Sequence, residues 1–300
     1  MTAISPQWIA VDWGTTNLRV TAMGAEGPLA TRTSDQGMAR LAQEAFEGAL
    51  LALIEDWLPQ GGDKISVIAC GMVGARQGWI EAAYRQVPCA PVDAGAMTKV
   101  PVKDPRFEMV IAPGLSQLAP ADVMRGEETQ IAGALALQPG FDGVLCLPGT
   151  HSKWAHISAG EVVSFQTCLT GELFQLLAEQ SVLRHSLGGD GFDEAAFDEA
   201  LSDAMSNPNR FAARLFTLRA ESLVASLSPD TARARLSGLL IGLELAATRA
   251  YWLGQPVTLI GAEALSTLYA RALAQQGITA RQLSGPDCSL AGLASLRGVL

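Results

Sequence analysis

Apolar residues along this chain fall into short runs and longer stripes, and the two kinds alternate. The run Trp8–Val11 predicts a buried strand that breaks at Asp12-Trp13-Gly14-Thr15-Thr16, and Leu18–Met23 predicts the strand that returns beside it. Pro28–Ser34 predicts a third strand. From Leu41 to Leu58 the apolar positions Leu41, Ala45, Ala49, Leu53 and Trp57 share one helical face. Ile65–Cys70, bounded by Gly61-Gly62 and Gly71, predicts a fourth strand, and Phe107–Ala112 a fifth.

The second half repeats the theme. A helix runs from Met124 through Ile131 and Leu135, and Gly143–Leu147 predicts a strand that stops at Pro148-Gly149-Thr150. Ala155–Ile157 and Val162–Thr167 follow as strands around a turn at Ala159-Gly160. Helices are expected from Thr170, over 190–205, 211–227 and 233–253, and from Ala264 to Gln276; Val257–Ile260 and Ile278–Leu283 are strands, and Cys288–Arg297 closes the chain as a helix. Gly14-Thr15 and Gly149-Thr150 occupy corresponding places, and the later turns at Gly24 and Gly160 nearly correspond. This is the signature of an internal repeat in an α/β chain. A lobe boundary is expected near Gly114–Asp122.

The candidate chemistry sits where strands end, which is where α/β proteins bind ligands. At Gly14 the missing Cβ lets backbone N–H groups and the hydroxyls of Thr15 and Thr16 approach an anion. Asp12 ends its strand where a metal ion carrying phosphate can meet it. Gly149 and Thr150 offer a second such turn to the same phosphate chain. The glycine-rich loop Gly71–Trp79 presents Arg76, which suits bidentate pairing with a carboxylate or serves as a solvated loop arginine. Glu127 and Glu128 open a helix, where the dipole favours negative charge; a catalytic role would place them at a cleft. Small residues at Gly261-Ala262 allow a flat purine ring close to backbone.

Composition narrows the partners. The 300 residues are 49% hydrophobic and 17% charged, enough for a large core, and the net charge of −9 disfavours nucleic acid. Five cysteines lie scattered without a Cys-x-x-Cys pair and read as reduced residues of a cytoplasmic protein. The three histidines lack metal-site spacing. No signal peptide and no bilayer-spanning run is read from the sequence.

Four segments together resemble the 2-dehydro-3-deoxygalactonokinase family: Val11-Asp-Trp-Gly-Thr-Thr-Asn-Leu-Arg19, Gly71-Met-Val-Gly-Ala-Arg-Gln-Gly-Trp79, Arg125-Gly-Glu-Glu-Thr-Gln130 and Leu147-Pro-Gly-Thr-His-Ser-Lys-Trp154. The two Gly-Thr hairpins and the Ile-Gly-Ala segment are similar to the phosphate-1, phosphate-2 and adenosine motifs of the actin-like ATPase and sugar-kinase superfamily. The resemblance implies a two-lobed fold of ribonuclease-H-like repeats, with lobes at 1–118 and 119–300 and the final helix packing back on the first. It implies ATP and Mg²⁺ in the cleft and transfer of the γ-phosphoryl group to the 6-hydroxyl of 2-dehydro-3-deoxy-D-galactonate. Glu128 falls where related kinases place the general base and Glu127 where they place a substrate-binding Asn. Asp12 is then the metal-associated carboxylate. Arg76, Lys153 and Arg19 are candidates for the sugar acid's carboxylate, with Trp79, His151 and Ser152 beside the substrate; Lys153 can alternatively touch phosphate. A homodimer is compatible with this reading. Another sugar or sugar-acid kinase of the same fold, glucokinase-like, and an actin-like ATP-binding protein without an acceptor are the alternatives.

Overall fold

The computed structural model describes residues 4–298. Its first sheet grows from β1 (Trp8–Trp13) and β2 (Leu18–Met23), an antiparallel hairpin extended by β3 (Pro28–Ser34). After helix α1 (Phe46–Ile54), β4 (Ile65–Gly71) returns parallel to β1, pairing Asp12 with Cys70 and Trp13 with Gly71. Short strands β5 (Tyr84–Gln86) and β6 (Thr98–Val100) precede β7 (Phe107–Ile111), and the sheet order is β3-β2-β1-β4-β7-β6. β8 (Gly114–Leu118) and β9 (Ala121–Met124) join β5 in a separate three-stranded sheet before α2 (Glu127–Leu137).

The second large sheet repeats this plan. β10 (Gly143–Leu147) and β11 (Ser152–Ser158) form an antiparallel hairpin, β12 (Glu161–Cys168) lies outside β11, and the order is β12-β11-β10-β13-β14. The intervening helices are α3 (Thr170–Glu179), α4 (Glu194–Ser206), α5 (Phe211–Val224), α6 (Pro229–Ala247) and the short α7 (Arg249–Trp252). β13 (Val257–Gly261) is parallel to β10, α8 (Glu263–Ala274) follows, β14 (Arg281–Ser284) is parallel to β13, and α9 (Gly285–Arg297) ends the chain. In both sheets a hairpin is followed by a parallel strand beside its first member. That shared order is the internal repeat expected from the paired Gly-Thr turns.

The chain divides into two compact units: residues 1–141 with 158–164 and 285–300, and residues 142–157 with 165–284. The division after Phe141 differs from the expected one near Gly114–Asp122. The reason is α2, whose glycines and small residues pack on α9 within the first unit. A Cβ on Gly292 would stand 1.9 Å from the Thr129 carbonyl oxygen, and one on Gly133 would stand 1.8 Å from that of Cys288. The two helices therefore touch backbone to backbone, and α9 also covers β1 and β4.

Strand alternation sorts the first unit's core. Ile9, Val11 and Trp13 face α1, where Trp13, Phe46 and Trp79 meet with ring centroids 5.1 to 6.2 Å apart. Trp8, Ala10 and Cys70 face Leu293 and Leu296 of α9. The same alternation puts Asp12 on the α9 face. In the second unit, Val144, Cys146 and Trp154 pack under Phe197 of α4, Ile241 of α6 and Tyr269 of α8.

Two sequence expectations shift. The helix expected over 41–58 is α-helical only over Phe46–Ile54, with 3₁₀ turns at Gln43–Ala45 and Glu55–Trp57. The strands β5, β6, β8 and β9 went unseen, because three to five residues give too few alternations to read a period. Among the described residues, no helix is long and apolar enough to cross a membrane.

Gly292→Ala forces α9 away from α2. Overpacking of this kind costs about 1–3 kcal/mol, so urea or thermal denaturation should show a clear loss of stability. Wild-type stability in this variant would mean that the crossing widens freely.

Candidate active site

In the first unit the carboxyl ends of β1 and β4 meet the start of α2. Gly71 has φ +92° and Gly126 has φ +106°, conformations that favour glycine, and a Cβ on Gly126 would lie 3.2 Å from the Gly71 Cα. This close approach seats the first turn of α2 beside the ends of the strands. Glu128 is then wholly buried. One carboxylate oxygen accepts from the Gly126 N–H at 2.7 Å and the other from the Thr129 hydroxyl at 3.1 Å. Burial first, and then the charge of Glu127, raise its pKa from 4.5 to about 8; the hydrogen bonds oppose the rise. Glu127 accepts from the Arg125 N–H at 3.0 Å.

Asp12 lies on the same side of the sheet. Its register partner Cys70 feels the charge of both Asp12 and Glu128, and burial plus those charges push the thiol far up. Burial also raises Asp12, against a hydrogen bond to Ser289 of α9 and the attraction of Arg19, whose guanidinium lies 3.6 Å away. Gln130 of α2 donates to Ser289 at 3.3 Å. Asp12 and Glu128 thus both act on the Cys70 thiol, and Ser289 links Asp12 to α2 through Gln130. After β1 the Gly14–Asn17 turn is held from behind: Gly37, Met38 and Ala39 donate to the carbonyls of Thr16, Gly14 and Thr15 at 3.0 Å each. Gly37 is essential to this contact, since a Cβ there would sit 2.2 Å from the Thr16 carbonyl carbon. Thr15 and Thr16 themselves stay exposed.

In the second unit Gly149 and Thr150 are braced in the same manner. A Cβ on Gly171, in the first turn of α3, would lie 2.3 Å from the Gly149 carbonyl oxygen. The turn forms one edge of a cavity of about 480 Å³ lined by Phe174, Phe192, Arg233, Ser237, Leu265, Leu268 and others. The volume is of the size that small-molecule and nucleotide ligands fill, and the walls are mostly apolar with a few polar groups.

Comparison with known proteins decides the family. The profile described as 2-keto-3-deoxy-galactonokinase matches residues 12–296. The chain belongs to this kinase family. A protein of Rhizobium meliloti (strain 1021) named "Probable 2-dehydro-3-deoxygalactonokinase DgoK1" is 39% identical over 300 residues, covering 96% of this chain and 95% of that one. The 2-dehydro-3-deoxygalactonokinase of Escherichia coli (strain K12) is 33% identical over 296 residues, covering 98% of both. A crystal structure from Sinorhizobium meliloti superposes with a TM-score of 0.88 at 39% identity, covering 98% of this chain and 96% of that one.

Against this family frame, the expected site residues fall into three groups. Asp12, Glu127, Glu128 and Arg19 gather in the first unit, and Gly149 and Thr150 edge the cavity of the second. Arg76 stands exposed on the loop after β4. Others are placed differently. The Trp79 ring is a core group between Trp13 and Phe46, held there because the loop turns inward after Gly78. Ser152 is fully buried and shares a 2.9 Å hydrogen bond with Tyr269, since the alternation of β11 points it inward. His151 pairs with Glu172 at 2.5 Å, and the buried Lys153 donates to Thr167 at 2.8 Å. Gly261 packs near the Pro148 carbonyl, while α8 meets the cavity through Ala264, Leu265 and Leu268 rather than through Gly261 or Ala262.

Sequence reading passed over Arg125. Its side chain is buried, donates to the Ala82 carbonyl at 2.7 Å and stacks on Tyr84 at 4.2 Å. It therefore ties the Arg76-bearing segment to the start of α2. Its place directly before Gly-Glu-Glu was the available signal.

Glu128 also sets a pH dependence of stability. Its folded pKa, about 8, exceeds the unfolded value of 4.5, so its contribution is full below 4.5 and is lost as pH rises through 8. Melting temperatures from pH 5 to 9 should fall less steeply for Glu128→Gln than for the wild type. Parallel slopes would place the Glu128 pKa near that of an ordinary carboxyl.

Proposed function

We propose that this kinase transfers the γ-phosphoryl group of ATP to the 6-hydroxyl of 2-dehydro-3-deoxy-D-galactonate. The observation that carries this reading is the buried Glu128 beside Asp12 at the carboxyl ends of β1 and β4, within a chain of this family. A primary hydroxyl is a poor nucleophile until a base accepts its proton. A carboxylate whose pKa is raised to about 8 is a stronger base than an ordinary one and still ionises at working pH. Glu128 is assigned that role, with Glu127 orienting the sugar acid.

The cavity beside Gly149 and Thr150 is assigned to the nucleoside and that turn to its phosphates, while the exposed Thr15-Thr16 turn is assigned to anion binding within its own unit. Phosphoryl transfer depends on in-line positioning and on neutralising charge at the phosphate oxygens. Mg²⁺ commonly binds through one or two carboxylates plus substrate phosphates and water. Asp12 fits that role: it is a strand-end carboxylate held by Ser289 and Arg19, and a nearby cation would favour its ionised form. When bound, the ion supplies charge neutralisation at the phosphates.

Arg76 is assigned to the substrate carboxylate, because it is a guanidinium exposed on the loop that Arg125 braces against Glu127. Lys153, buried on β11, is left to the framework of its own unit. The five free cysteines fit a reducing compartment, and the cytoplasm is the proposed location.

Steady-state kinetics of two variants test this assignment. Glu128→Gln should keep its nucleotide affinity while kcat falls roughly 10²–10⁴-fold, the usual size of a general-base effect. Wild-type kcat should rise with pH up to about 8 and then level off. Arg76→Ala should raise KM for the sugar acid by roughly tenfold to a hundredfold, as expected for losing hydrogen bonds to a charged group, with KM for ATP unchanged. Full activity of Glu128→Gln would remove the base assignment, and an unchanged sugar-acid KM would return Arg76 to the solvent.

A further inference from the structure

A second buried carboxylate lies in the other unit, and the proposed chemistry leaves it without a task. Glu244 of α6 is 3% exposed. The Trp154 indole N–H donates to one of its oxygens at 2.7 Å. The Tyr269 hydroxyl donates to the other at 2.7 Å, and the Thr170 hydroxyl donates to that same oxygen. Ser152 completes the group through its hydrogen bond with Tyr269. A carboxylate taken out of water is costly unless donors surround it, and here neutral donors come from β11, α3 and α8 at once.

These elements are the ones that shape the cavity. Thr170 and Tyr269 line it, and Ile241 of α6, one turn before Glu244, lines it as well. Thr170 is followed by Gly171, the glycine pressed against the Gly149 carbonyl. Ser152 and Trp154 lie on the strand that leaves the Gly149-Thr150 turn. Glu244 is thus the common acceptor for the strand leaving that turn, the helix start packed against the turn, and the opposite wall of the cavity.

We propose that Glu244 is a positioning residue for nucleotide binding, fixing the Gly149-Thr150 turn and the cavity beside it through Trp154, Thr170 and Tyr269. The proposal rests on assigning the cavity to the nucleoside. Glu244 touches no nucleotide in this account. It acts by holding the groups that do. Trp154 is fully buried in the core of this unit, and its N–H is committed to the carboxylate.

Calorimetric titration with ADP tests this on full-length protein, alongside a melting curve for each variant. Glu244→Gln places an amide N–H among donors and should weaken ADP binding on the order of tenfold or more. Its KM for ATP should rise by a similar factor, while KM for the sugar acid stays within about twofold of the wild type. Trp154→Phe removes one donor and should weaken ADP binding several-fold. If Glu244→Gln does not fold, Trp154→Phe decides the matter. In the double variant the two effects should not add, because both act through one carboxylate. A folded Glu244→Gln protein, or failing that a folded Trp154→Phe protein, that melts earlier yet binds ADP like the wild type would overturn the proposal and leave Glu244 a stability element. Failure of the wild type itself to bind ADP would instead overturn the nucleoside assignment of the cavity.

Discussion

A carboxyl group removed from water must be surrounded by donors, or it holds its proton. At Glu128 both effects operate together. The Gly126 N–H and Thr129 hydroxyl stabilise the charge, while burial and the neighbouring Glu127 oppose it, and the balance lies near neutrality. That balance depends on backbone. Gly71 and Gly126 must approach within a Cβ diameter, and α9 must lie directly on α2 through Gly133 and Gly292. Ser289, carried by α9, then reaches Asp12. The last helix of the chain is thereby joined to its first strand.

The second unit solves a related problem with the same devices. A glycine presses against each Gly-Thr turn, Gly37 in one unit and Gly171 in the other. Each sheet places its turn between the first two strands of its hairpin, with a parallel strand beside the first. The units differ in what lies beneath the turn. The first carries Glu128, whose burial raises its pKa to about 8, and the second carries Glu244, which accepts from Trp154, Thr170 and Tyr269.

Much of this was legible in sequence because it depends on local pattern. The strand–turn–strand repeat is visible at Gly14-Thr15 and Gly149-Thr150, and strand alternation alone places Asp12 opposite Ile9, Val11 and Trp13. What was not legible depends on long-range contact. Trp79 looks like a loop aromatic until Trp13 and Phe46 are brought beside it. Ser152 looks like a substrate partner until Tyr269, far along the chain, meets it. Glu244 sits among alanines and leucines and reads as one polar residue of a core helix. Nothing nearby announces that Trp154, Thr170 and Tyr269 converge on it. The unit boundary was misplaced for the same reason, since the pairing of β9 with β8 and the packing of α2 on α9 assign residues 119–141 to the first unit.

The most direct measurement is ADP release with Mg·ATP and four acceptor conditions: 2-dehydro-3-deoxy-D-galactonate, its gluconate epimer, glucose, and no acceptor. The expected result is turnover with the galactonate compound, with product phosphorylated at the 6-position, and little ADP release in the other three. Comparable turnover on glucose would contradict a substrate carboxylate read by Arg76, and ADP release without any acceptor would contradict Glu128 as the base for a sugar hydroxyl.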